Sequence, residues 1–250
     1  MIKTKPAPNQ VNPARSSSPS RTKTRWIYAG TIIGGYVLFV FPNLFFGITR
    51  MNGGLQGINL LLMALFQCAS VTGLLYGSLR ALGKNFRDIG LSFRGWRADA
   101  LLGLLGGGTW TLLQMAFIIP ATGGAEQVGV ARIIDTMDGT PTGLLSYIAL
   151  GVIGGGLTEE LFNRGYSINV LKDTFQNPTV GVWVASILSG LLFALGHLPA
   201  NALAWFDILV PTTMYTLLFL HTKRLTASVV AHGVYNASAI VSIYLMYYPR

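Results

Sequence analysis

The feature that most constrains this chain is a series of seven apolar blocks separated by short polar stretches. Each block has about the 20 residues that a helix needs to cross a bilayer. A backbone in hydrocarbon must satisfy its own hydrogen bonds, which favours helices. Only 11% of the residues are charged, against about 25% in a soluble domain. We therefore predict an all-α fold, a polytopic transmembrane helical bundle of about seven spans, and the pattern leaves room for an eighth.

The spans are placed from the lengths of the apolar runs. They cover approximately residues 26–47, 55–79, 98–120, 143–161 with a polar continuation, 179–198, 202–221 and 225–247. Residues 121–141, which include Gly, Thr and Asp, are expected to form a polar loop. The single cysteine, Cys68, excludes an internal disulfide.

The charge distribution divides the chain into a tail and a membrane domain. Residues 1–25 are rich in Pro, Ser, Lys and Arg and contain no acidic residue, which predicts a disordered basic tail. Residues 26–250 are expected to form the membrane-embedded domain. Alternating the loops puts most of the 18 Lys and Arg residues on the side of the tail, so the positive-inside rule predicts a cytoplasmic N-terminus. The net charge of +9 then suits an anionic lipid surface, and no nucleic-acid partner is expected.

Polar side chains that hydrocarbon should exclude occur in three of the predicted spans. The fourth span and its continuation carry Glu159, Glu160 and Arg164, and the fifth carries His197. An ionisable residue in a span costs about 2.5–3.5 kcal/mol on insertion scales, so each one is a functional-site hypothesis. Glu160 and Arg164 are four residues apart, on one helix face, and can form a salt bridge.

The seventh span adds His232 and Asn236, which are also four residues apart and can point together into the bundle. At about 1.5 Å of rise per helical residue, both lie at depths that overlap with those of Glu160 and His197. We therefore expect the polar residues of the three spans to converge nearer the middle of the membrane than either surface.

Two carboxylates, two imidazoles and a carboxamide in one cavity can activate water. A carboxylate with a histidine partner can take a proton from water and return it to a leaving amine. A histidine and an asparagine can donate hydrogen bonds to a developing oxyanion. Glu and His also bind zinc, so Glu159, Glu160, His197 and His232 are the metal candidates, although no HExxH motif is present. The same residues can instead be structural ties between helices or the charge relay of a transporter.

The three clusters resemble the motifs of one protein family, in the same order on successive spans. EExxxR is present at residues 159–164, FxxxH at residues 193–197 and HxxxN at residues 232–236. These are the motifs of the CPBP family of intramembrane proteases, which includes CAAX prenyl protease type II-like and Abi proteins. The resemblance covers about residues 85–245, taken as the protease core. Its one departure is Asn163, where members commonly carry an aromatic residue.

What the resemblance implies is an intramembrane endopeptidase, a hydrolase that cleaves a peptide bond of a membrane-associated protein or peptide, as in CAAX processing. By analogy, Glu159 and His197 would activate the water. His232 and Asn236 would stabilise the oxyanion.

The remaining motif residues would support this chemistry. Glu160 would be held by Arg164 and shape the site, with Phe193 as further structural support. A glutamate mechanism with no cofactor is the better match to prenyl-protein-processing members, and a zinc metalloprotease is the alternative.

The resemblance also implies a location and partners. We expect an integral multi-pass protein of a prokaryotic cell (inner) membrane, in contact with the lipid bilayer and a membrane-associated substrate. A catalytically silent immunity or adaptor protein of the same fold is the alternative function. Prenylation of the substrate and the oligomeric state are left open.

Overall fold

The computed structural model describes residues 19–248, and in this range it contains helices and no β-strand. Seven of the helices are long and apolar enough to cross a membrane, so the predicted all-α architecture with seven spans is confirmed. The helices are α1 Arg21–Thr49, α2 Ile58–Ala81, α3 Trp96–Ala121, α4 Val128–Met137, α5 Pro141–Lys172, α6 Pro178–Gly196, α7 Ala202–Thr222 and α8 Thr226–Tyr247.

The first helix begins earlier than the sequence analysis placed it. α1 starts at Arg21, inside the stretch expected to be a disordered tail. Ser20 caps the helix, because its hydroxyl oxygen accepts a hydrogen bond from the Lys23 amide at 3.3 Å. Residues 1–18 of the predicted tail lie outside the described residues.

The stretch expected to be a polar loop contains the short helix α4. Val130 and Met137 are buried in this helix, and Ile134 between them is half-buried. Apolar residues at this spacing share one face of a helix, which here packs against α8. The loop prediction was therefore wrong for these residues.

Polar caps set the starts of three helices that build the site. Thr140 and Asn177 precede prolines at the first helical positions of α5 and α6. Asn201 precedes α7. Each of the three side chains accepts hydrogen bonds from backbone amides in the first turn, which satisfies donors that have no partner within the helix.

Glycines let α8 lie very close to two other helices. A Cβ atom at Gly107 of α3 would fall 2.3 Å from the carbonyl oxygen of Ala231. A Cβ atom at Gly156 of α5 would fall 2.8 Å from the Cα of Gly233. Any side chain at these positions would push the backbones apart. The close approach of α5 and α8 brings the first and third motifs side by side.

Much of α5 is π-helical, over Leu150–Glu159 and Leu161–Ile168. In keeping with this geometry, the hydroxyl of Thr158 donates to the carbonyl of Ile153, five residues back, at 2.7 Å. π-Helical turns are rare and frequently occur at functional sites. Because a π-helical turn is wider, its side chains point in other directions than those of an α-helix. The sequence prediction relied on α-helical directions.

An ion pair fastens α3 to the start of α8. Arg224 donates to both carboxylate oxygens of Asp99, at 2.6 and 2.8 Å, and Asp99 is buried. These hydrogen bonds raise the pKa of Arg224 above its ordinary value. The pair fixes the end of α8 that lies nearest to His232.

Candidate active site

Glu160 lies at the centre of a closed polar cluster. Its side chain is 0% exposed, and its Oε1 accepts hydrogen bonds from Arg164 Nη1 at 2.7 Å and from His232 Nδ1 at 3.0 Å. The first contact is the salt bridge predicted from the spacing of Glu160 and Arg164. The second joins the EExxxR motif to the HxxxN motif. One carboxylate oxygen therefore holds residues from α5 and α8 together.

Arg164 is enclosed by residues of α6 and α7. Its Nη2 donates to the carbonyl oxygen of Thr212 at 3.2 Å. Its guanidinium carbon lies 4.7 Å from the centre of the Phe193 ring and 5.6 Å from that of Tyr215. A buried charge is tolerated when it is paired and hydrogen-bonded, and the ring faces add cation–π attraction. The phenylalanine of the FxxxH motif thus contacts the arginine of the first motif.

His232 connects the two glutamates. A carboxylate can only accept, so the contact with Glu160 requires a proton on Nδ1 of the imidazole. The ring stacks on Tyr215, with centroids 4.7 Å apart and planes 18° from parallel. On its other edge, Nε2 lies 4.0 Å from Oε2 of Glu159. That separation is too long for a hydrogen bond. We call Glu160, Arg164, His232 and Tyr215 the closed side of the site.

Glu159 faces a cavity instead of the closed side. Its side chain is 23% exposed, whereas that of Glu160 is 0% exposed. The cavity has a volume of about 160 Å³, enough for several water molecules. Its walls come from four helices, α1, α2, α5 and the end of α6. They are formed by Tyr36, Phe39, Val40, Asn43, Gln67, Glu159, Asn163, Phe193, Gly196 and His197.

His197 lines the same cavity, although it does not lie inside a helix as the sequence analysis expected. α6 ends at Gly196, and His197 is the capping residue that follows it. Its Nδ1 donates to the carbonyl of Phe193 at 2.9 Å, because a carbonyl oxygen can only accept. This contact leaves Nε2 as the nitrogen available for other partners.

Asn236 ties α8 to α5. Its Nδ2 donates to the carbonyl oxygen of Gly151 at 2.9 Å, which uses one of its two N–H bonds. A Cβ atom at Gly155 would fall 2.6 Å from Nδ2 of Asn236 and 3.6 Å from Nε2 of His232. The glycine therefore makes room for both residues of the third motif. Asn236 is not among the residues that line the cavity.

The residues that α1 and α2 contribute to the cavity wall were not predicted from sequence, and Tyr36 and Gln67 are two of them. Tyr36 of α1 is half-buried, and its hydroxyl has no hydrogen-bond partner in the part of the chain that the structure describes. Gln67 of α2 is buried, and its Nε2 donates to the carbonyl of Phe39 at 3.1 Å. An amide in the middle of an apolar span was a signal that could have pointed to Gln67. We call Glu159, His197 and Tyr36 the open side of the site.

The four candidate metal ligands of the site lie in different surroundings. Between residues 19 and 248, no three His, Cys, Asp or Glu side chains are close enough together to hold a metal ion. Of the four candidates for zinc, Glu160 and His232 are bonded to each other, and Glu160 also to Arg164. These bonds use Oε1 of Glu160 and Nδ1 of His232, and the Arg164 guanidinium already balances the charge of Glu160.

The fold and the site define a helical membrane protein with a carboxylate–imidazole cavity inside its bundle. The family model described as type II CAAX prenyl endopeptidase Rce1-like matches residues 141–238, which contain all three motifs. The predicted resemblance is therefore confirmed for residues 141–238, which match that family of membrane proteases. No curated protein and no solved structure matches the chain. α1 and α2, which supply Tyr36 and Gln67, lie outside the matched residues.

The family and the seven apolar helices together give a class and a location. The chain is an integral, multi-pass membrane protein, and its residues 141–238 are similar to a family of CAAX-type endopeptidases. Its setting is a lipid environment, with a membrane-embedded peptide or protein as the kind of substrate that such a protease takes.

Proposed function

We propose that the protein hydrolyses a peptide bond of a membrane-associated protein or peptide with water activated by Glu159 and His197. The observation that carries this proposal is the unequal environment of the two glutamates. Glu160 is buried and accepts hydrogen bonds from Arg164 and His232, whereas Glu159 faces a cavity that it shares with His197. A general base must reach the water that it deprotonates, and of the two carboxylates Glu159 meets that condition.

In the proposed reaction, Glu159 accepts a proton from water while the water oxygen forms a bond to the carbonyl carbon. The protonated Glu159 then gives this proton to the nitrogen as the carbon–nitrogen bond breaks. Nε2 of His197, left free by the bond from Nδ1 to Phe193, accepts the other hydrogen bond of the water and orients it. The cavity walls restrict the position of the water.

We assign Glu160, Arg164 and Phe193 a positioning role. Glu160 fixes the His232 ring through Nδ1, and Arg164 keeps Glu160 in place under the Phe193 ring. The effect is to hold Nε2 of His232 near Glu159, at 4.0 Å. None of these three residues would exchange a proton with the substrate.

The oxyanion is proposed to be stabilised by His232 and Asn236, with Tyr36 as a further donor. Nε2 of His232 can donate only when the ring carries both protons, because Nδ1 already holds one. Asn236 keeps one N–H after its bond to Gly151. Among residues 19–248 the buried Tyr36 hydroxyl has no hydrogen-bond partner, and its ring carbon Cζ lies 3.9 Å from a Cβ atom built at Gly196, beside His197. Hydrogen bonds that form only as charge develops lower the barrier.

The proposal includes a metal-free mechanism and a prokaryotic cell membrane with the N-terminus in the cytoplasm. The first is supported by the buried salt bridge of Glu160 with Arg164, which places a positive charge beside one of the four candidate metal ligands. The orientation is supported by the excess of Lys and Arg on the side of the tail. A zinc-dependent reaction remains the alternative mechanism.

The test is cleavage of a membrane-tethered peptide by purified protein in ¹⁸O-labelled water. The proposal predicts one labelled oxygen in the new carboxylate, and loss of cleavage in Glu159→Ala and His197→Ala. Full activity in both variants would refute the roles of these residues. Absence of cleavage by the wild-type protein, together with an unchanged cellular phenotype of Glu159→Gln, would favour a silent adaptor or immunity protein.

A further inference from the structure

A second cavity is remote from the site and lies where several helices begin or end. Its volume is about 1110 Å³. The start of α1, the end of α2, the end of α5 and the start of α6 meet there. These four termini lie on the membrane face that the N-terminal tail enters. No step of the proposed peptidase reaction uses this cavity.

The cavity is strongly basic. Arg21, Lys23, Lys84 and Lys172 line it, with Asp173 as its single acidic residue. Asp173 is paired with Lys84 at 3.0 Å, so it neutralises only one of the four cations. Among residues 19–248, no carboxylate lies within 4.0 Å of the other three. A net positive charge therefore remains for an anionic ligand.

The same cavity also has an apolar wall. Leu82, Phe175 and Val182 line it beside the basic residues. A wall of this kind gives nothing to a free inorganic anion, whereas it can pack against an acyl chain or glycerol backbone. An anionic phospholipid has a negatively charged phosphate next to apolar chains. It is therefore complementary to a cavity with cations beside an apolar wall.

Two exposed tryptophans indicate that the cavity lies at the level of the lipid headgroups. Trp26 is 75% exposed and Trp183 is 53% exposed, and each follows the start of its helix by little more than one turn. Tryptophan is enriched where membrane and water meet. The basic cavity lies at the starts of the same two helices, α1 and α6. Its opening therefore faces the headgroups and not the hydrocarbon core.

We propose that this basic cavity binds the phosphate of an anionic phospholipid from the leaflet on the side of the N-terminal tail. Lys23 and Lys172, from α1 and α5, contact the phosphate, and the apolar wall receives the upper part of the lipid. Residues 1–18 bring three more Lys or Arg residues and no acid to the same membrane face. Each basic residue close to an anionic leaflet adds to the attraction.

The test measures binding of phosphatidylglycerol and phosphatidylcholine to the purified full-length protein, by native mass spectrometry of protein released from nanodiscs. The wild type is expected to retain phosphatidylglycerol in preference to phosphatidylcholine. The double variant Lys23→Gln/Lys172→Gln is expected to bind phosphatidylglycerol roughly 30-fold more weakly, from the loss of two interfacial charges.

The matched control is Arg94→Gln/Arg97→Gln, which removes the same charge at the same membrane face but outside the cavity. This control should keep the lipid preference. Equal retention of the two lipids by the wild type, or an equal loss in the control, would overturn the proposal. Displacement of the lipid by millimolar inorganic phosphate, but not by chloride of equal ionic strength, would also overturn it, because free phosphate would then be the ligand.

Discussion

The closed and open sides of the site begin at adjacent residues of α5, yet their surroundings are opposite. On the closed side, Glu160 is fully buried and shares one oxygen between Arg164 and His232. On the open side, Glu159 is part-exposed and faces a cavity of about 160 Å³ with His197 and Tyr36. The difference teaches that one glutamate of the EExxxR motif can hold helices together through an ion pair, while the adjacent glutamate keeps a carboxylate that reaches the cavity.

A substitution on the closed side should lower the free energy of unfolding more than any other substitution considered. Replacement of Glu160 by Ala leaves Arg164 buried without its partner, which should cost about 3–5 kcal/mol in the free energy of unfolding. Denaturant unfolding in detergent, followed by circular dichroism, measures the effect. Glu126→Ala is the control, since Glu126 is the third glutamate and is exposed. Equal stability of the two variants would show that the buried pair does not hold the bundle together.

A substitution at the contact of α5 with α8 should give the next largest loss of stability. Gly156→Ala places a methyl group 2.8 Å from the Gly233 Cα, so the helices must separate at a cost of about 1–3 kcal/mol. The matched control is Gly73→Ala on α2, where nothing lies within 4 Å of the new Cβ. Thermal unfolding should distinguish the two variants. A destabilisation as large at Gly73 as at Gly156 would mean that close packing is not the cause.

The open side should show a kinetic effect with little change in stability. Tyr36→Phe keeps the ring and removes a hydroxyl that has no hydrogen-bond partner among residues 19–248. We therefore expect kcat to fall by up to about 10²-fold while KM stays constant. Tyr28→Phe is the control on the same helix, because its hydroxyl pairs with Ser167, away from the cavity. A change in KM or stability without a change in kcat would assign Tyr36 a packing role only.

Chelation should have the smallest effect of all. Because the buried Arg164 already balances the charge of Glu160, activity should persist after treatment with a strong chelator, and metal analysis of active protein should find no stoichiometric zinc. Loss of activity with recovery by zinc alone would contradict the metal-free proposal.

Much of the fold could be predicted from sequence, because apolar runs of bilayer length have few alternatives in hydrocarbon. The Glu160–Arg164 salt bridge followed from a spacing of four. The bond from His232 to Glu160 could not be specified, since it depends on how closely α5 and α8 pack. The π-helical turns of α5 could not be predicted either, because the predicted side-chain directions rest on α-helical spacing throughout.

The cavity wall shows a second limit of sequence reasoning. Tyr36 lies in a span that resembles any other apolar span, and its position beside Gly196 arises only from the packing of α1. α4 was missed for a different reason: Gly and Asp residues suggested a loop, while the helical spacing of Val130, Ile134 and Met137 was the stronger signal. His197 was expected inside a span, and its capping position depends on where α6 ends.

The most direct test of the central claim is the kcat of Glu159→Gln on a membrane-tethered peptide. This variant keeps the size of the side chain and removes its capacity to take a proton. The account predicts that kcat falls by about 10²–10⁴-fold while the unfolding midpoint stays at the wild-type value. Wild-type kcat in a correctly folded Glu159→Gln protein would contradict the claim that Glu159 is the general base.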